Sequence, residues 1–196
     1  MTTIFRSSAA ALCLALLAAC EPAAPKFRGT DITGVDYGRS LELTDHHGKP
    51  RRLEDWRGKA VVVFFGFTHC PDVCPTTLAD MAIAMKQLGP EADRVQVLMV
   101  TVDPERDTRE ALAKYVPAFD PRFLGLYGDL EATRRAAKEF KVYFEKRPGK
   151  TPGEYSIDHS AQSYVFDPQG RLRLFERHER ITEDLAPDLR ALLQER

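Results

Sequence analysis

Ala60-Val61-Val62-Val63-Phe64-Phe65-Gly66-Phe67 runs directly into Thr68-His69-Cys70-Pro71-Asp72-Val73-Cys74-Pro75. The first eight residues are almost wholly apolar, as expected of a central strand buried on both faces. Proline suits the first helical position, so a helix is expected to start near Pro75. Leu78, Met81, Ala82 and Met85 give it one apolar face, and Gly89-Pro90 ends it. A strand thus feeds a cysteine pair that opens a helix. At a helix N-terminus, backbone N–H groups and the macrodipole favour thiolate over thiol. Cysteines four apart on a helical turn can also fall within the disulfide range of roughly 4.4–6.8 Å between Cα atoms. Cys70 and Cys74 could cycle between dithiol and disulfide, or offer two soft thiolates to Cu(I). A permanent staple is a third option, although so small a loop would stabilise little.

Strand and helix patterns alternate on either side of this junction. Ser40–Thr44 and Arg51–Leu53 flank the turn-like Asp45-His46-His47-Gly48-Lys49. Arg94–Val102 is expected as a second core strand and Leu124–Tyr127 as a short one. Asp107 with Glu110 resembles a capping box for a helix to about Tyr115, and Asp129 can cap another to about Phe140. Gln162–Asp167 and Arg171–Glu176, joined by Pro168-Gln169-Gly170, form a hairpin pattern. Leu185, Leu189, Leu192 and Leu193 stripe a final helix. This order predicts an α/β, thioredoxin-like fold with an extra N-terminal β-hairpin and an insertion before the last β-hairpin.

The 196-residue chain carries a formal charge of −1 with scattered basic residues, which gives no nucleic-acid surface. Ala9–Ala19 has signal-peptide length, too short to span a membrane, and Leu17-Ala18-Ala19-Cys20 resembles a bacterial lipobox. That resemblance implies a signal peptide over 1–19 and lipidation of Cys20. It implies a bacterial, lipid-anchored protein whose domain lies on the exported, periplasmic side of the membrane. Residues 20–36, rich in Pro, Ala and Gly, are expected to form the lipidated N-terminus and a flexible tether. Residues 37–196 are expected to form one domain, monomeric for want of an exposed apolar stripe. With Cys13 discarded and Cys20 lipidated, Cys70 and Cys74 are the only free thiols among the four cysteines.

The five histidines differ in promise. His46 and His47 sit in a turn and are expected in solvent; His178 follows charged residues and is expected exposed. His69 adjoins the thiols but is expected to point away. His159, in Ile157-Asp158-His159-Ser160 before the last hairpin, lies where thioredoxin-like folds face the cysteine loop. A Cys₂His set can hold copper in either oxidation state, whereas structural zinc wants a fourth ligand. Asp158 could support His159 or face solvent.

Phe65–Pro75, Val102-Asp103-Pro104-Glu105-Arg106-Asp107-Thr108, Asp158-His159-Ser160 and Asp55-Trp56-Arg57-Gly58-Lys59 together resemble the Sco/SenC family over roughly residues 30–195. The family consists of thioredoxin-like copper-binding proteins that help assemble the copper centre of cytochrome c oxidase subunit II. The resemblance implies a membrane-tethered metallochaperone holding Cu(I) and Cu(II) through Cys70, Cys74 and His159. Asp103–Thr108 would either border the metal loop or cap a helix, with capping preferred. Glu145–Tyr155 is expected as a surface insertion, in the alternative a flap closing on copper. The rival function is thiol–disulfide exchange through Cys70 and Cys74, either reducing a copper-receiving partner or signalling redox state. Against a general reductase stand the CxxxC spacing and the lack of proline in Ser156–Ser163. No peroxiredoxin pattern is present.

Overall fold

The computed structural model describes residues 26–195, so the signal peptide and Cys20 lie outside the described residues. Its strands are β1 (Thr30–Asp31), β2 (Glu42–Asp45), β3 (Pro50–Arg52), β4 (Ala60–Gly66), β5 (Val95–Thr101), β6 (Leu124–Tyr127), β7 (Phe144–Pro148), β8 (Tyr155–His159), β9 (Ser163–Phe166) and β10 (Leu172–Glu176). The helices are α1 (Val73–Leu88), α2 (Arg109–Tyr115), α3 (Leu130–Glu139) and α4 (Ile181–Gln194).

Eight strands form one sheet in the order β1-β10-β9-β4-β5-β6-β2-β3. All seven residues of β4 are buried, with β5 parallel on one side and β9 antiparallel on the other. A strand covered on both faces needs no polar alternation, which explains the continuous apolar run. Successive side chains point to opposite faces. Phe65 meets Phe140 at 5.3 Å between ring centroids, and Phe140 meets Tyr164 at 5.3 Å. Gly66 faces α1, which packs against α4. This is the thioredoxin-like α/β arrangement expected from the order of elements.

Helix α1 begins at Val73, near Pro75 as expected, with Asp72 at the N-cap position. Several other local expectations are corrected. Thr108 caps α2, accepting from the Ala111 N–H, and Asp107 does not. His46 is 3 % exposed, because its Nδ1 accepts from the Gly125 N–H at 3.0 Å. Residues 145–155 belong to a hairpin: β7 and β8 pair antiparallel in their own two-stranded sheet. The chain is also docked before residue 37. Strand β1 pairs with β10, and Asp188 on α4 accepts from the backbone N–H groups of Arg28 (2.9 Å) and Gly29 (2.7 Å).

That docking rests against Glu176, fully buried at the end of β10, whose two carboxyl oxygens meet no donor among the described residues. Burial, and then the adjacent Asp188 carboxylate, push its pKa up to about 8. A protonated Glu176 can donate to Asp188, which resolves the apparent orphan. The folded chain then holds a proton that the unfolded chain releases, so stability falls as pH rises from the ordinary carboxyl range towards 8. Glu176→Gln supplies a permanent neutral donor. It should flatten that fall and add about 1–3 kcal/mol at alkaline pH, the scale of one unsatisfied buried polar group. Denaturant melts across pH check this; an unchanged slope would contradict a protonated Glu176.

Candidate metal centre

The cysteine loop leaves β4 under tight restraint. Thr68 donates to the Asp107 carboxylate from its N–H (3.0 Å) and its hydroxyl (2.6 Å). Thr101, at the end of β5, donates its hydroxyl to the same carboxylate at 2.6 Å. Asp107 is 1 % exposed, and burial raises its pKa against these hydrogen bonds. Of the two roles considered for the Asp103–Thr108 segment, Asp107 therefore takes the one that borders the loop.

Cys70 is half-buried in the loop, and Cys74 is fully buried in the first turn of α1. The Cys74 N–H donates to Cys70 Sγ at 3.4 Å. Gly66 makes room for the inner thiol: a Cβ there would lie 3.0 Å from Cys74 Sγ and 2.7 Å from the Phe64 ring. His159 arrives from the end of β8, with Nε2 3.5 Å from Cys74 Sγ. Its Nδ1 is 2.8 Å from the Ser160 carbonyl oxygen, which can only accept. The proton therefore sits on Nδ1, and Nε2 presents a lone pair to the sulfurs. Phe64 (6.4 Å) and Phe67 (5.7 Å) pack edge-on against the ring and fix its plane.

Cys70 Sγ, Cys74 Sγ and a His159 ring nitrogen all lie within 4.8 Å of one another. The thiols are electrostatically unequal. A hydrogen bond from Cys74, with the N–H groups of Asp72 and Cys74, holds Cys70 well below the usual thiol range against the cost of burial. Donating that hydrogen bond, together with burial, pushes Cys74 up. The reduced pair is thus a thiolate and a thiol. A metal taking both sulfurs must expel the Cys74 proton, so its affinity rises with pH. Two soft sulfurs and one imidazole fit copper and leave zinc short of four ligands.

The remaining candidates fall outside this set. Asp158 turns away to Arg147, 2.8 Å from its Nε, and does not support His159. His47 is exposed, and His178 is half-buried with Nδ1 3.3 Å from Glu179. His69 is exposed and forms a second group with Asp103 and Asp107. Those carboxylates already accept from Arg106, Tyr155, Thr68 and Thr101, so that group is structural. Arg106 and Tyr155 beside the site were missed. Arg106 lay inside the Val102–Thr108 segment and Tyr155 at the end of the Glu145–Tyr155 insertion, and nothing local links one to the other.

The family model described as SCO1/SenC matches residues 30–194. Protein SCO2 homolog, mitochondrial, from Mus musculus is 39% identical over 152 residues, spanning 76% of this chain and 60% of the mouse protein. The copper-bound structure of Bradyrhizobium japonicum ScoI is similar at a TM-score of 0.71 and 38% identity, covering 77% of this chain and 96% of that one. The solution structure of apo Sco1 from Thermus thermophilus is similar at a TM-score of 0.77 and 43% identity, covering 87% and 99%.

Gly66 offers a direct check on the packing of the inner thiol. Gly66→Ala should destabilise the fold by about 1–3 kcal/mol, the usual cost of overpacking a core. It should also expose Cys74 to alkylation. Unchanged denaturation and unchanged alkylation would mean that Cys74 is not wedged against β4.

Proposed function

The chain belongs to the SCO1/SenC family, and from that premise we propose that it is a membrane-tethered copper metallochaperone. It binds Cu(I) and Cu(II) through Cys70, Cys74 and His159 and helps assemble the copper centre of cytochrome c oxidase subunit II. The observation that carries this is the convergence of two sulfurs and an imidazole lone pair within 4.8 Å, from a loop, a helix start and a separate hairpin. Cu(I) is satisfied by the thiolates; the imidazole extends the site to Cu(II). Cys70, being half-buried, gives an acceptor's ligands a sulfur to approach while Cys74 stays covered. A lipid on Cys20 would hold the monomeric domain at the exported face of a bacterial membrane, with the stretch between Cys20 and the docked Phe27, shorter than the expected 20–36, as the tether.

The thiolate character of Cys70 favours one second activity, reduction of a partner's disulfide. The Cys70 thiolate attacks one partner sulfur and the other leaves as thiolate. Cys74, deprotonated, then attacks Cys70 Sγ. The partner leaves as a dithiol and a Cys70–Cys74 disulfide remains here.

Anaerobic copper titration of the reduced protein distinguishes the two. One-to-one Cu(I) binding should be lost in Cys70→Ser and Cys74→Ser. In His159→Ala it should persist while Cu(II) binding weakens by about tenfold or more, as for loss of a positioned ligand. Weak binding indifferent to all three changes would overturn the chaperone function and leave thiol–disulfide exchange.

A further inference from the structure

His159 does not belong to the main sheet. It reaches the thiols on the two-stranded β7–β8 unit, so whatever docks that hairpin sets where Nε2 points. Ile157 of β8 anchors the hairpin in the hydrophobic core, and the polar part of the dock is the turn after β5. Asp103 is fully buried there, anchored by its N–H to Thr101 Oγ1 at 2.9 Å. Its carboxylate accepts from Arg106 Nε at 2.5 Å and from the Tyr155 hydroxyl at 2.8 Å. Arg106 in turn donates from Nη1 to the Tyr155 carbonyl at 3.0 Å and stacks 3.7 Å above the Tyr155 ring. Lys146 of β7 adds an ion pair to Glu105 at 2.5 Å and covers the same ring at 4.4 Å.

Arg106 is the hub of this cluster. Its guanidinium also lies 5.9 Å over Phe67, the ring that packs on His159. Charge-assisted hydrogen bonds are the strong class, and a guanidinium supplies several from one rigid plane. Its Nη2 is nevertheless buried with no acceptor among the described residues.

We propose that Arg106 is a positioning residue, closing an Asp103–Arg106–Tyr155 clamp that seats the β7–β8 hairpin and so presents His159 to the two thiols. The consequence for copper rests on the chaperone function proposed above. A closed clamp completes the nitrogen-containing site that Cu(II) requires. A hairpin unseated by loss of the clamp leaves the thiolate pair that suffices for Cu(I).

The test uses the full chain in detergent with Arg106→Gln, Arg106→Lys and Tyr155→Phe, in two arms. In the metal-free arm, amide exchange in 144–148 and 155–159 is followed against β9. Loss of a charge-assisted hydrogen bond should speed hairpin exchange by about tenfold in Arg106→Gln, with β9 unchanged. In the copper arm, Cu(II) affinity should fall about tenfold with loss of the nitrogen coupling in the paramagnetic resonance spectrum, while Cu(I) affinity stays within about twofold. Arg106→Lys should restore part of both. Tyr155→Phe, which removes a single hydroxyl, keeps the test open if Arg106→Gln fails to fold, and should show a smaller effect of the same pattern. The clamp is overturned if hairpin exchange and the Cu(II) nitrogen signature both stay at wild type. It is also overturned if the hairpin loosens with Cu(II) unaffected, or if β9 exchange and Cu(I) binding suffer equally. A wild-type chain that binds no copper, with the hairpin still loosened by Arg106→Gln, would sink the chaperone function and leave the clamp standing.

Discussion

The buried Asp107 carboxylate gathers three donors, the N–H and hydroxyl of Thr68 and the hydroxyl of Thr101. Those residues stand at the ends of the two central parallel strands, so one side chain ties β4 to β5 where both must turn. The cysteine loop begins at Thr68 and the clamp turn begins just past Thr101. Both halves of the candidate metal centre therefore hang from a single carboxylate. Removing it would leave the buried Thr101 hydroxyl without its acceptor, at about 1–3 kcal/mol, and free the part-buried Thr68 from β5.

The centre built on this anchor is asymmetric. One sulfur is buried against Gly66 and Phe64, and the other is half-exposed in the loop. One is a thiol held up by burial, the other a thiolate held down by hydrogen bonds. The imidazole comes from a hairpin that shares no backbone pairing with the main sheet. Retention calls for a covered, deprotonated ligand set; transfer calls for an accessible edge and a ligand that can withdraw. The fold puts the two candidate ligands on different elements, with α1 covering Cys74 and the hairpin carrying His159.

Much of this was legible in the sequence, for physical reasons. The apolar run of β4 can only be a strand covered on both faces, and the cysteine spacing on a helix start points to soft-ligand or redox chemistry. His159 was picked out by its position before the last hairpin of a thioredoxin-like fold, and the family resemblance then paired it with the cysteines and with residues 102–108, because distant contacts leave no local pattern. Asp107 illustrates the limit. Its spacing to Glu110 imitates a capping box, yet Thr108 caps the helix and the carboxylate turns inward to threonines on other strands. His46 deceived in the same way: a turn position implies solvent, but a backbone N–H on β6 captures its ring. The Lys-, Pro- and Gly-rich stretch after Phe144 has weak strand propensity, and its hairpin is pinned by Arg106, which no local pattern could reveal. Glu176 gave no signal, since its burial depends on the docking of residues 28–31.

X-ray absorption at the copper edge, recorded on the protein loaded with Cu(I) and then oxidised to Cu(II), addresses the three-ligand centre most directly. Two sulfur scatterers in both states, with one imidazole nitrogen evident in the Cu(II) form, are expected from Cys70, Cys74 and His159. A first shell of nitrogen and oxygen alone, in either state, would contradict the site.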